Sequence, residues 1–224
     1  MISAVLFDLD ETLFARTVSL RQFIEDQIRS QYPDIFPNVE MTVSRFLELD
    51  SRGTKPKDEV YRTLLAELDR DDGALASELF EHYEVNAWRF ASGFDGMSDA
   101  LKDIRELGFK IGIVTNGQTH IQLRTLLALN LDRLVDDYVI SEAVNLRKPD
   151  PRIFHLAAQN LSVRPESCVF VGDSPMADVV ASRRAGMKSV WFPNGARWPD
   201  DLLQETDAEI RSLSELSTVL RQLA

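Results

Sequence analysis

Apolar and polar positions change their period twice along this chain. Val5, Leu6 and Phe7 form a short uninterrupted apolar run that Asp8 ends, with Asp10 and Thr12 following at alternate positions. A continuous run of β-forming residues reads as a strand buried on both faces. From Ser19 to about Ala91 the spacing turns helical. Leu20, Phe23, Ile24 and Ile28 share one face; Val43, Phe46, Leu47 and Leu49 mark a second helix. Val60, Leu64, Leu65 and Leu68 mark a third within 57–69, and Leu79 and Phe80 a fourth within 75–83. The basic, turn-rich segment 51–57 connects the second and third. From Phe94 onward helix and strand alternate: helices at 97–107, 121–129, 152–160, 176–185 and 213–223, strands at 110–115, 137–141, 167–172 and 188–192, and a weak strand at 208–211. Gly108 and Gly186 are the expected stops of the helices before them. Strands alternating with helices predict an α/β protein: a parallel sheet with right-handed crossovers, carrying a helical insert between its first strand and the rest.

Composition narrows the function without naming it. The chain has 224 residues, 44% hydrophobic and 27% charged, enough for one large domain or a core with a smaller insert. A net charge of −11 argues against nucleic acid or an anionic membrane as partner, but a local basic pocket can still take a small phosphorylated metabolite. Cys168 is the single cysteine, which excludes an internal disulfide. No apolar stretch reaches the length of a membrane span, and the first strand begins without a basic leader. The expectation is a cytoplasmic protein.

Four groups of polar residues stand at strand ends or in the loops after them: Asp8 with Asp10, Thr115 with Asn116, Lys148, and Asp173 with Asp178. In an open parallel sheet all carboxyl ends lie along one edge, where ligands bind. Each group also has a plainer reading. Asp8-Leu-Asp10 can be a turn and helix cap, and Thr115 an N-cap. Lys148 can be a solvated loop lysine, Gly172-Asp173-Ser174-Pro175 a capped turn, and Asp178 a first-turn carboxylate favoured by the helix dipole. Their joint occurrence, acid, hydroxyl, base and acid in order, favours a shared site. Carboxylates crowded together repel unless a cation lies between them. Mg²⁺, which takes oxygen ligands, water and phosphate, is the economical choice.

The set resembles the haloacid dehalogenase superfamily of phosphohydrolases. Asp8-Leu-Asp10-Glu-Thr12 matches its first motif, Thr115-Asn116 the second, Lys148 the third and Gly172-Asp173-Ser-Pro-Met-Ala-Asp178 the fourth. Glu11 stands where many members have glycine, and Ala177 where asparagine often precedes the last aspartate. The resemblance implies a Rossmann-like core over 1–14 and 93–224, and a mobile helical cap over 15–92 that closes on the site and chooses the substrate. It implies a Mg²⁺-dependent phosphatase in which Asp8 attacks phosphorus and forms an aspartyl-phosphate. Asp10 would then protonate the leaving alkoxide and later deprotonate water. The metal would be held by Asp8, the Asp10 carbonyl and Asp173, with Asp178 orienting bound water and Thr12 fixing the loop. Thr115, Asn116 through its backbone N–H, and Lys148 would hold the phosphoryl oxygens. Nucleotidase-like or sugar-phosphate-like monoesters are the implied substrates.

Other functions remain to be separated. A phosphomutase uses the same residues and differs in the acceptor. A dehalogenase of the superfamily would not be expected to keep Asp10. A phospho-signalling receiver would carry its acceptor mid-chain and lack the insert. A non-catalytic scaffold would be expected to have lost an Asp or the Lys. His82, His120 and His155 share no ligand spacing, and Trp88, Trp191 and Trp198 read as packing residues.

Overall fold

The computed structural model describes residues 1–70 and 72–223. The chain divides into two compact units, Met1–Ala15 with Gly93–Ala224, and Arg16–Ser92.

The first unit is built on a six-stranded parallel sheet. Its elements in chain order are β1 (Ala4–Phe7), then, after the second unit, α5 (Met97–Glu106), β2 (Lys110–Thr115), α6 (Thr119–Ala128), β3 (Asp137–Ile140), α7 (Ser141–Val144), α8 (Pro151–Asn160), β4 (Cys168–Gly172), α9 (Ala181–Arg184), β5 (Lys188–Trp191), β6 (Ala208–Glu209) and α10 (Leu216–Leu223). The strand order is β3-β2-β1-β4-β5-β6. Successive side chains of a strand point to opposite faces, and here both faces are apolar. Val5 and Phe7 join Ile111, Ile113, Val169 and Val171 in a core shared with Leu101 and Ile104 of α5 and Leu216 and Leu220 of α10. Ala4 and Leu6 join Cys168 and Phe170 in a second core with Ile153, Phe154, Ala157 and Ala158 of α8. Two helical layers therefore sandwich the sheet, which is why its strands read as unbroken apolar runs. Gly112 is needed for this packing, because a Cβ there would lie 2.6 Å from Leu6 Cδ2.

β1 is central, with Phe7 in register with both Ile113 of β2 and Val171 of β4. The chain runs outward from β1 through β2 and β3, then returns to the other side of β1 for β4. That reversal between β1 and β4 opens the crevice where open α/β sheets bind ligands.

The second unit consists, among its described residues, of helices and turns: α1 (Arg16–Gln31), α2 (Val39–Asp50), α3 (Lys57–Ala66) and α4 (Gly73–Asn86). Phe23 packs edge-on against Tyr83 at 5.7 Å, and Phe46 against Tyr61 at 5.0 Å. The one buried amide of α1 is satisfied: Gln27 accepts from Tyr61 Oη at 2.8 Å and donates to the Leu79 carbonyl at 3.0 Å. Asn38 and Asp72 cap α2 and α4 by accepting backbone N–H bonds.

The predicted helix at 176–185 differs in kind. Pro175–Val180 is a π-helical turn, and only Ala181–Arg184 is α-helical. Asp178 and Val179 both donate backbone N–H bonds to the Ser174 carbonyl, at 3.0 and 3.2 Å, widening the turn. The final predicted helix likewise opens with a 3₁₀ turn, Leu213–Glu215, closed by a Ser212/Glu215 capping box, before α10. The strand predicted at 137–141 gives up Ser141 to the short helix α7.

Candidate active site

Asp8 follows β1 directly, and its backbone N–H donates to the Val171 carbonyl at 2.9 Å, extending the β1–β4 pairing by one residue. The chain then turns tightly. The Leu9 carbonyl accepts from the N–H groups of Thr12, Leu13 and Phe14, while Leu9 and Leu13 are buried beneath it. Glu11 lies in the left-handed region at φ 61°, the conformation that favours the glycine many members carry there. Its carboxylate accepts a hydrogen bond from Asn194 Nδ2 at 2.6 Å, which helps hold it.

Lys148 links three strand ends. Its ammonium donates to Asp8 Oδ1 at 2.6 Å and to Asp178 Oδ1 at 2.7 Å. Its backbone N–H donates to Asn116 Oδ1 and its carbonyl accepts from Asn116 Nδ2, both at 2.9 Å. Asn116 thus uses its side chain to clamp the Lys148 backbone, a role distinct from the backbone N–H expected of it. Asp178 is fully buried; besides Lys148 it accepts the Ser174 N–H at 2.9 Å. Gly172 makes this possible, since a Cβ there would sit 2.5 Å from the Asp178 carboxylate. Asp173 is buried nearby, and the Trp191 indole N–H donates to its carbonyl at 2.9 Å.

Asp8, Asp173 and Asp178 each offer a carboxylate oxygen within 4.8 Å of the others. Three buried carboxylates against one ammonium leave an anionic excess of two. Burial pushes the Asp8 carboxyl well above its ordinary value; the Lys148 ammonium pulls it down, and Asp178 and Asp173 push it up further. Burial would pull the Lys148 ammonium down, but Asp178 and Asp8 outweigh it and hold it above the usual lysine range. An all-oxygen donor set with a deficit of two charges suits a hard divalent cation. The Thr115 hydroxyl at the end of β2 is buried without a hydrogen-bond partner, and so is that of Thr12. A buried polar atom left unpaired is costly, so Thr115 is suited to donate to an incoming anionic oxygen. Thr12 does not fix its loop through its hydroxyl; backbone bonds do that.

Residues 2–186 match the family described as haloacid dehalogenase-like hydrolase. The chain belongs to that family. A glyceraldehyde 3-phosphate phosphatase from Methanopyrus kandleri is 31% identical over 100% of this chain and 99% of its own. The solved structure of the Bacillus subtilis YfnB protein bound to magnesium is 26% identical, with a TM-score of 0.71 over 98% of each chain. A solved structure from Thermotoga maritima, 23% identical, has a TM-score of 0.79 over 100% of both chains and shares the fold.

Sequence reasoning missed a residue that touches this candidate site. Gln122, on α6, is buried and donates from Nε2 to Asp10 Oδ2 at 3.2 Å. Its signal was a polar residue heading the buried stripe Gln122, Thr125 and Leu126 of an otherwise ordinary helix. Among the described residues no helix is long and apolar enough to cross a membrane.

Proposed function

We propose that the chain is a Mg²⁺-dependent phosphatase that hydrolyses small phosphate monoesters through an aspartyl-phosphate on Asp8. The observation that carries this reading is the Lys148 ammonium held between Asp8 and Asp178 inside an all-carboxylate cluster. The phosphatase name of the Methanopyrus relative and the magnesium of the YfnB structure support it. Asp8, Asp173 and the Asp10 carbonyl would hold the ion, with Asp178 within reach of it. When bound, the ion supplies the charge that lets an anionic nucleophile meet an anionic ester.

An Asp8 oxygen attacks phosphorus as the ester P–O bond breaks. The bond's electron pair leaves on the alkoxide oxygen, which takes a proton from Asp10. Water then gives a proton to Asp10 and attacks the phosphoryl group; the Asp8 O–P bond breaks and the carboxylate is restored. Lys148 and the Thr115 hydroxyl hold the phosphoryl oxygens as charge builds on them. Lys148 can serve only if its loop is fixed, which the Asn116 side chain provides. The helical unit, Arg16–Ser92, is the part we assign to substrate choice as a cap, among sugar-phosphate-like and nucleotidase-like monoesters. A single cysteine, buried and with no partner for an internal disulfide, fits a reducing cytoplasm as its place of work.

The test is turnover of p-nitrophenyl phosphate and a panel of small phosphorylated metabolites. EDTA is expected to remove activity and Mg²⁺ to restore it, and Asp8→Asn to lower kcat by about four orders of magnitude. Full activity without a divalent ion, or wild-type turnover by Asp8→Asn, would reject the reading.

A further inference from the structure

Gln122 presents a puzzle of burial. It is 6% exposed, and ordering a long glutamine side chain costs rotamer entropy. Its Oε1 is buried without a hydrogen-bond partner, while Nε2 donates to Asp10 Oδ2 at 3.2 Å and lies 3.5 Å from the Asn116 carbonyl. A leucine or methionine would fill the same space at lower cost, so packing does not explain an amide here. The surroundings are shaped to admit it. A Cβ on Gly117 would lie 2.6 Å from Gln122 Nε2, so the backbone is pared back at the point of contact. The start of α6 is tied down from α7: Ser141 Oγ accepts the Gly117 N–H at 3.0 Å, and Glu142 accepts the Thr119 N–H at 2.7 Å. The amide is therefore delivered on a rigid element to a carboxylate 112 residues away in sequence.

We propose that Gln122 is the positioning residue for Asp10, its amide N–H fixing the carboxyl group in the orientation from which Asp10 exchanges a proton with the leaving oxygen. The chemistry favours an amide over the alternatives. A glutamate would repel Asp10 and deepen the anionic excess of the cluster. A lysine would add a cation competing with Lys148 and the divalent ion for the same carboxylates. An apolar side chain would leave Asp10 without this anchor. The inference rests on the reading of Asp10 as general acid given above.

Leaving-group dependence separates positioning from mere support. p-Nitrophenolate departs with little help from an acid, whereas an alkoxide needs the proton. Wild type, Gln122→Met and Asp10→Asn are compared on p-nitrophenyl phosphate and on the alkyl phosphate monoester that wild type turns over best. Because kcat/KM reports only the steps up to departure of the leaving group, while both esters share the later hydrolysis of the Asp8 phosphoryl group, Gln122→Met is expected to lower kcat/KM about 30-fold on the alkyl ester and less than about 3-fold on the aryl ester. Gln122→Asn, which keeps a neutral amide but is one methylene shorter and so withdraws it from Asp10, is expected to show the same selectivity, and it replaces Gln122→Met if that variant does not fold. Equal losses on both esters, or no loss, would overturn the proposal. Asp10→Asn separates the two failures. If it is selective and the Gln122 variants are not, the positioning role alone falls. If it is not selective, the acid assignment falls and the positioning role with it.

Discussion

Among the described residues, each unit of the molecule buries an ionic cluster, and the two have opposite stoichiometry. In the sheet unit, Asp8, Asp173 and Asp178 share the single ammonium of Lys148. In the helical unit, Asp50 stands alone against two cations. Arg16 grips it with two bonds of 2.8 and 2.9 Å, Lys57 pairs with it, and the Gly53 N–H donates to it at 2.8 Å. The carboxyl groups respond in opposite directions. Burial would push Asp50 up, but Arg16 and Lys57 outweigh it and hold the group below its ordinary value. At Asp8 burial and the neighbouring carboxylates prevail over Lys148 and the group is pushed up. A buried carboxylate whose partners satisfy it completely supports a fold. One left in anionic excess is suited to a cation and an incoming phosphoryl group. Stoichiometry, more than burial or pairing alone, separates the two roles.

The largest expected contrast is in stability without divalent ions. Asp50→Asn leaves two cations buried together and frees a loop in which Ser51 (φ 47°) and Arg52 (φ 54°) both sit in the left-handed region. It is expected to cost about 3 kcal/mol in urea unfolding. Asp8→Asn removes a repelling carboxylate and leaves Lys148 paired with Asp178; its unfolding midpoint is expected to equal or exceed that of wild type in EDTA. Equal destabilisation by the two variants would break the comparison. A smaller effect sharpens it: Mg²⁺ at a hundredfold excess over its Kd is expected to stabilise wild type by about 2.7 kcal/mol and to do much less for Asp173→Asn. A shift of the same size in that variant would remove Asp173 from the proposed ligands.

The legible part of this molecule was the part governed by local pattern. β2, with one exposed lysine and five buried residues, matched its predicted bounds because a buried parallel strand is visible as an apolar run. The placement of Asp8, Lys148, Asp173 and Asp178 near one another followed from topology, since β1 and β4 are neighbours despite their separation in sequence. The less legible part depended on contacts between distant segments. The wide turn at Pro175–Val180 reflects the need to fold the Asp178 carboxylate back onto Ser174 N–H and Lys148, which no helical periodicity encodes. The clamp of Asn116 on the Lys148 backbone and the bond from Gln122 to Asp10 pair residues 32 and 112 positions apart. A polar side chain on a helix reads as solvent-facing until the fold shows what lies opposite it.

Acid provides the finest test of the two clusters, because their signs differ. Asp50 has a folded pKa below its unfolded one, so its contribution is present above about pH 3.9 and is lost as pH falls through the folded value. Asp8 has a folded pKa above its unfolded one, so in EDTA it weighs against the fold at neutral pH, and that cost fades as the pH drops. Between pH 7 and 4 the stability gained by Asp8→Asn over wild type is therefore expected to shrink, while the penalty of Asp50→Asn stays flat and diminishes only in stronger acid. Urea midpoints of the three proteins across that range measure both trends. A penalty for Asp50→Asn that collapses already near pH 6 would mean that its carboxylate is not held by Arg16 and Lys57 in the way the geometry requires. The same titration with saturating Mg²⁺ should abolish the Asp8 trend at neutral pH and leave the Asp50 trend untouched, since only the anionic cluster has a charge deficit for the ion to fill.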